Sequence, residues 1–383
     1  MNNRTKFLIA TWDGGGNATP AFNLGARLVR RGHRVRLLGW ESMSGRSAEA
    51  GLEFTAYASM TPWPENLSMD DAWDRVAPRL HGTATRDDIL ATAEAYAPDV
   101  LVLDCFMAAG FAAARQLGQP TAVLVHVLYS AYASSWGDQV MGSNVLDLVA
   151  ATDRVLALVP PGFDAPVAVP ANTSYVGPIT RPGPGTAGAR HSADLETLTQ
   201  PGDPWILLSL STTLQRQTDA LPAMLDAVES LAVRVLLTLG GVIPTDSVRA
   251  PANVMVRDFL PHDLILPHMA AVVCHGGLST ITAALAAGVP LICIPQGRDQ
   301  DLNAARVEAC GVGRVVAPGS SAAEIATAVR AVIRDASARE SARRFAEAIA
   351  ALGAGEQATV EVEQLAGSAI HDHNEEDHHG VDR

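Results

Sequence analysis

The stretch AAVVCHGGLSTITAALAAGVPLICIPQGRDQDLNAARV, Ala270 to Val307, reads as strand, tight turn, helix, strand, loop and helix. Ala270 to Cys274 is a short apolar run of the buried-strand type. His275-Gly276-Gly277 then turns the chain, and Leu278 to Ala287 is composed of helix formers that end at Gly288, just before Pro290. Leu291 to Ile294 is the next strand. A helix that begins directly after a Gly-Gly turn presents free backbone N–H groups and the positive end of its dipole, which suits a diphosphate. Ser279 and Thr280 add hydroxyl donors there, and His275 places an imidazole at the mouth.

The chain around this stretch has 383 residues, room for two domains. Apolar residues make up 48% and charged residues 18%, so large cores can be buried. A formal net charge of −13 argues against sequence-independent nucleic-acid binding, and no nucleic-acid partner is expected. Cys105, Cys274, Cys293 and Cys310 form no CxxC pair and read as reduced thiols, consistent with a cytoplasmic protein. The apolar core Phe7 to Ala10 is too short for a signal peptide, and no run reaches the about 18 residues of a membrane span.

The chain opens with a strand, Lys6 to Thr11, a loop Trp12-Asp13-Gly14-Gly15-Gly16-Asn17, a helix Ala18 to Arg31 and a strand Arg34 to Leu38. This β-loop-α-β order is Rossmann-like, but Thr19 breaks the G-x-G-x-x-G pattern and argues against a dinucleotide here. Residues 41–97 are variable in character, helical from Asp70 to Ala97 with a break near His81-Gly82. Strands Val100 to Leu103 and Thr121 to Val125 end at Asp104 and His126, the strand ends where open α/β sheets bind ligands. Residues 1–178 form one expected domain, 179–203 a Pro/Gly-rich linker, 204–366 a second domain, and 367–383 an acidic, His-rich disordered tail.

His275, Gly276, Gly277 and Thr280, then Gly288-Val289-Pro290, then Pro295, Arg298, Asp299, Gln300, Asn303 and Arg306 together resemble the donor signature of nucleotide-sugar-dependent glycosyltransferases of the GT-B type. That family includes macrolide, glycopeptide and plant natural-product enzymes. The resemblance implies an α/β fold of two Rossmann-like domains facing each other across a cleft. It implies inverting transfer of a sugar from a UDP- or dTDP-sugar to a small, largely apolar acceptor, without a metal or other cofactor; a homodimer is compatible with it. Donor contacts are expected from Ser211, Thr212, Phe259, Leu260, His275, Gly276, Gly277, Ser279, Thr280, Asp299 and Gln300. Asn303 and Arg306 are expected to support their loop. Asp299-Gln300-Asp301 also has D-x-D spacing, a metal–diphosphate motif of another glycosyltransferase fold, but it follows a strand and an HGG helix that already supplies a phosphate site. Acceptor contacts are expected from Trp12, Trp63, Phe106, Met107 and Tyr129, with Met69, Trp73, Tyr132 and Trp136 nearby candidates.

One departure stands out. The family's first loop has the form G-H-x-x-P, whose His is the base, paired with an Asp at the position of Asp104. Here the run is Gly16-Asn17-Ala18-Thr19-Pro20, and an amide cannot accept a proton at neutral pH. His126 or Asp13 is then the expected base, with Asn17 positioning the acceptor and Asp104 deprived of its usual partner. Two other readings stay open: a non-catalytic nucleotide-sugar-binding helper, and a nucleotide-sugar epimerase or hydrolase of the same architecture.

Overall fold

The computed structural model describes residues 4–60, 69–165, 167–182, 191–213 and 217–376. The first domain contains β1 (Lys6–Ala10), β2 (Arg34–Gly39), β3 (Glu53–Ala56), β4 (Val100–Asp104), β5 (Thr121–Val125), β6 (Arg154–Ala157) and β7 (Thr173–Tyr175). They form one parallel sheet in the order β3-β2-β1-β4-β5-β6-β7. The second contains β8 (Trp205–Ser209), β9 (Arg234–Thr238), β10 (Val254–Arg257), β11 (Met269–Cys274), β12 (Leu291–Cys293) and β13 (Gly313–Val315), ordered β10-β9-β8-β11-β12-β13. The central strands β4, β5 and β8 are buried from end to end, as parallel strands covered by helices on both faces must be.

In each sheet the chain reverses direction of growth once, between β1 and β4 and between β8 and β11. Loops leaving the strands on either side of such a reversal splay apart and open a crevice. Loop 12–17 and Asp104 therefore flank one crevice, and residues 210–213 and His275 flank the other. The first helix, Ala18–Arg30, buries Phe22, Leu24 and Leu28 against the sheet and stops at Gly32, whose φ of +95° favours glycine.

Three segments differ from the sequence reading. The linker is partly helical: Ser192–Thr199 buries Leu198 in the second domain's core, and Asp194 pairs with Arg257. Three short helices, Tyr129–Tyr132, Ser135–Met141 and Val145–Ala150, occupy the space between β5 and β6. The last helix runs from Glu356 to Glu376, so the segment expected to be disordered from 367 is helical for ten residues. After Gly367 the sequence offers no glycine or proline to stop it before Gly380; residues 377–383 lie outside the described part.

That last helix crosses back onto the first domain. Ala358, Val362, Leu365 and Ala366 join the first domain's core, so 356–366 packs there and not with residues 204–355. Charge fixes the crossing: Arg31 pairs with Glu356 and Glu363, and His33 Nε2 lies 2.9 Å from Glu363 Oε1. Arg27 donates from Nε to the Thr180 carbonyl at 3.1 Å and from Nη2 to the Ala354 carbonyl at 2.8 Å. These bonds tie the first helix to both chain crossings between the domains. Arg27→Ala is expected to cost about 2–3 kcal/mol in urea unfolding, because buried carbonyls lose charged donors; a change below 0.5 would remove Arg27 from this role.

Candidate functional site

A cavity of about 580 Å³ lies between the carboxyl ends of the two sheets and touches both crevices. From the second domain it is lined by Ser211, Thr212, Phe259, Leu260, His275, Gly277, Ser279, Thr280, Asp299 and Gln300. From the first it is lined by Trp12, Asn17, Trp73, Phe106, His126 and Trp136.

On the second-domain side, the helix Leu278–Ala286 starts at Gly277 with no side-chain cap, so its N-terminal N–H groups face the cavity. A Cβ on Gly277 would overlap the His275 imidazole at Nε2, which is why glycine stands there. His275 is nine-tenths buried and its Nδ1 has no hydrogen-bond partner among the described residues. Burial pushes its pKa down to about 4, with Arg298 and His262 working in the same direction against Ser209 and Asp299. The ring is therefore neutral at neutral pH and can donate one N–H to a phosphate oxygen. His262, whose Nε2 lies 3.3 Å from Ser209 Oγ, is likewise lowered to about 4 by burial. Asn303 ties this region together, donating to the Gly276 carbonyl at 3.1 Å and to Asp299 Oδ2 at 2.9 Å. Gln300 Oε1 accepts from Gln296 N at 2.7 Å. Asp301 is exposed outside the lining, so the D-x-D carboxylates do not converge on the cavity.

On the first-domain side, Asp104 ends β4 and is almost wholly buried. Its Oδ1 accepts from Trp12 Nε1 at 3.2 Å and Phe106 N at 3.0 Å, and lies 3.1 Å from His126 Nε2. Its Oδ2 accepts from Thr11 Oγ1 at 3.2 Å and Asn17 Nδ2 at 3.0 Å. Burial alone would raise the Asp104 pKa; His126, Phe106 and Asn17 outweigh it and hold it below the usual value. His126 shows the reverse balance. Burial opposes its charge; Cys105 and Asp104 raise its pKa, and of the two Asp104, 3.1 Å away, is the charge present, because burial pushes the Cys105 thiol up and keeps it neutral. Asp104, Cys105 and His126 bring an oxygen, a sulfur and a nitrogen within 4.8 Å, a grouping with metal-ligand chemistry. The carboxylate's lone pairs are already taken by five neighbours, which leaves little for a cation.

Residues 222–365 match the family described as erythromycin biosynthesis protein CIII-like, C-terminal domain. A PGL/p-HBAD biosynthesis glycosyltransferase of Mycobacterium tuberculosis is 39% identical over 129 residues, 33% of this chain and 30% of that protein. The O-mycaminosyltylonolide 6-deoxyallosyltransferase of Streptomyces fradiae is 32% identical over 185 residues, 47% of this chain and 42% of that one. The chain thus matches less than half the length of these curated relatives. The solved calicheamicin glycosyltransferase CalG4 superposes with a TM-score of 0.75 at 25% identity, over 95% of this chain and 99% of that one. The chain has the GT-B fold of the natural-product glycosyltransferases.

Within that GT-B cleft, several expected residues sit elsewhere. Asp13 accepts from Ser42 Oγ at 3.1 Å and is not part of the cavity wall, so it is withdrawn as a base. Met107 and Tyr129 are fully buried and do not line the cavity. Met107 takes the Tyr57 hydroxyl at its Sδ, and Tyr129 packs edge-on against Tyr175. Both alternate onto the core face of their segments, which apolar character alone cannot distinguish from a pocket face. Asp104 has not lost its partners: Asn17 and His126 both bond it. Asn17 is fully engaged, since Oδ1 also accepts from Gly14 N at 2.9 Å and Nδ2 also donates to the Trp12 carbonyl at 3.0 Å. It holds the loop while lining the cavity. Ser211 Oγ accepts from Thr213 N at 3.1 Å, so it caps its own turn while lining the cavity. Gly276 is outside the lining; its φ of +86° turns the chain toward His275 and Gly277. Trp63 lies outside the described residues, as does the side chain of Met69. Sequence reasoning assigned no role to Arg298, which lines the cavity with a φ of +61° immediately before Asp299.

These histidines set a pH dependence. His262 and His275 have folded pKa values of about 4, below the roughly 6.5 of an unfolded chain. The unfolded chain therefore takes up protons first, and their contribution is complete above about pH 6.5 and lost as pH falls toward 4. His126 is raised, so its contribution is complete below about pH 6.5 and lost as pH climbs through the folded value. In urea titrations, His275→Asn is expected to flatten the decline in stability between pH 6.5 and 4 relative to the unaltered chain. Parallel curves would show that His275 is not buried neutral.

Proposed function

We propose that the chain is an inverting glycosyltransferase that moves a sugar from a UDP- or dTDP-sugar onto a small, largely apolar acceptor. The observation that carries the reading is the uncapped N-terminus of the helix Leu278–Ala286 on the cavity wall, with the neutral imidazole of His275 beside it. This is a set of preorganised donors aimed where a leaving diphosphate gains charge, and no metal is required if they carry it. Phe259, 56% exposed at the cavity rim, offers a face to the nucleobase. Asp299, oriented by Asn303, and Gln300 would take the sugar hydroxyls. The relatives named above are glycosyltransferases, which supports the same chemistry in this chain.

In the reaction, the bond between the anomeric carbon and the β-phosphate oxygen breaks as the acceptor oxygen attacks from the opposite face. The acceptor lies on the first-domain side against Trp12, Trp73, Phe106 and Trp136. Asp104 holds His126 by charge, and Asn17 holds the loop Trp12–Gly14 that forms the wall. His126, whose Nε2 lies 3.1 Å from Asp104 Oδ1, lines the cavity beside Phe106 and is the side chain proposed to take the acceptor's proton. Among the described residues no helix is long and apolar enough to cross a membrane, and we place the reaction in the cytoplasm.

Asn17 favours a second reading, a nucleotide-sugar-binding helper without turnover. Incubation with UDP- and dTDP-sugars and an acceptor panel separates the two: a mass gain of one sugar on an acceptor is expected, and binding without product would leave the helper. His275→Ala is expected to weaken UDP or dTDP binding by about tenfold or more in calorimetry. Unchanged affinity would remove His275 from the diphosphate site.

A further inference from the structure

We propose that Arg298 is a catalytic residue acting on the leaving group: its guanidinium holds the donor's β-phosphate as the bond to the anomeric carbon breaks. The inference rests on the reading of the cleft as a glycosyltransferase site and goes further by naming a side chain that brings a full positive charge to the step.

The backbone places it. Arg298 lies in the loop between β12 and the helix Gln300–Ala309. Its φ of +61° is in the left-handed region, which a residue with a Cβ adopts at a cost. The loop is clamped against the His275 turn. Gln296 N donates to Gln300 Oε1 at 2.7 Å and closes the loop around Arg298. Asn303 donates to the Gly276 carbonyl at 3.1 Å and to Asp299 Oδ2 at 2.9 Å. A Cβ on Gly276 would come within 3.1 Å of the Gln300 carbonyl oxygen, so the two backbones are in close contact. Held this way, Arg298 lines the cavity together with His275, Gly277 and Ser279. Its charge reaches the imidazole, where it helps to keep His275 neutral.

Besides its histidines, the second domain's wall carries Asp263, Asp299 and Arg298 among the described residues. Asp263 pairs with Arg181 at 3.4 Å, and Asp299 is bonded by Asn303. Arg298 is exposed, and no hydrogen bond or ion pair joins it to another described residue. A left-handed arginine with no partner of its own adds nothing to packing, and its charge is free for an anion that enters the cavity.

The chemistry supplies that anion. The helix N-terminus offers roughly half an elementary charge, and the neutral His275 adds one N–H. The nucleoside diphosphate gains a whole negative charge as the sugar departs, and Asp299 beside it repels that charge. Arg298, next in sequence, offsets the repulsion. The acceptor oxygen bonds to the anomeric carbon and its proton passes to His126. The electron pair of the broken carbon–oxygen bond stays on the β-phosphate oxygen, which accepts a charge-assisted hydrogen bond from Arg298. The charge appears only as the bond breaks, so Arg298 acts more on the transition state than on the bound donor.

The test compares Arg298→Gln, which removes the charge, with Arg298→Lys, which keeps it. Turnover is measured with UDP-glucose, dTDP-glucose, dTDP-rhamnose and UDP-glucuronate over an acceptor panel, and UDP and dTDP binding by calorimetry. Arg298→Gln is expected to lower kcat by about 10–100-fold while KM for the donor stays within about threefold. UDP and dTDP, which carry the released charge, are expected to bind it about tenfold more weakly. Arg298→Lys is expected to restore most of both. A kcat and a UDP affinity within about twofold of the unaltered chain, or a lysine variant as poor as the glutamine one, would overturn the proposal. So would a loss confined to UDP-glucuronate, which would assign Arg298 to a sugar carboxylate. Bound UDP or dTDP with no transfer by the unaltered chain would overturn the glycosyltransferase reading itself, while the nucleotide affinities of the two variants would still decide whether Arg298 holds the phosphate.

Discussion

Asp104 is a carboxylate at the end of a central buried strand, and the first domain's half of the cleft is arranged around keeping it ionised there. A buried carboxylate left without partners costs several kcal/mol, and removing one partner from a buried pair typically costs about 3–5. Thr11, Trp12, Asn17, Phe106 and His126 supply the donors. Each donor belongs to a segment that the cleft needs in a fixed place. Thr11, Trp12 and Asn17 fix the loop after β1, Phe106 the turn after β4, and His126 the end of β5. One charge therefore sets the positions of three loops and orients the His126 ring.

The second constraint is closeness. Gly15 and Gly16 let the first-domain loop approach the second domain so tightly that a Cβ at Gly15 would come within 2.9 Å of Thr212 Oγ1, and one at Gly16 within 2.8 Å of Ser279 Oγ. Ser279 Oγ donates to the Gly16 carbonyl at 3.2 Å across this junction. The diphosphate end of one domain and the Asp104 loop of the other thus share a border. An in-line displacement needs the nucleophile and the leaving group held on opposite sides of one carbon. The glycines of this loop serve as the contact surface between the halves.

The donor half was legible because its parts are consecutive. Strand, Gly-Gly turn and helix follow one another from Met269 to Ala286, and the helix N-terminus follows from local geometry alone. The two-sheet architecture was legible for the same reason, from repeated buried strands and helices. The acceptor half is assembled from residues far apart in sequence: Trp12, Trp73, Phe106, His126 and Trp136 meet only through sheet order and the short helices after β5. Apolar character could not separate Phe106, which lines the cavity, from Met107, which is buried beside it with its sulfur against Tyr57. Nor could it separate Asp13, turned outward to Ser42, from a carboxylate facing the cleft. The last helix crosses onto the first domain, as the family resemblance implies; no local pattern shows it, because its partners, Arg27, Arg31 and His33, lie more than 300 residues earlier.

The amide of Asn17, at a position where the sequence resemblance implies an imidazole, has a consequence that runs through the whole first domain. Asn17 still bonds Asp104, so the geometry of that pair survives while its capacity to move a proton does not. His126 then inherits the carboxylate as a partner from the neighbouring strand end, in a ring orientation set by Phe106. The pairing orients the ring, and the ionised carboxylate favours its charged form while enclosure opposes it. Charge stabilisation and proton abstraction make opposite demands on an imidazole at pH 7. The carboxylate beside the ring reconciles them in sequence, since an imidazole that takes a proton as the nucleophile attacks then holds its charge against Asp104.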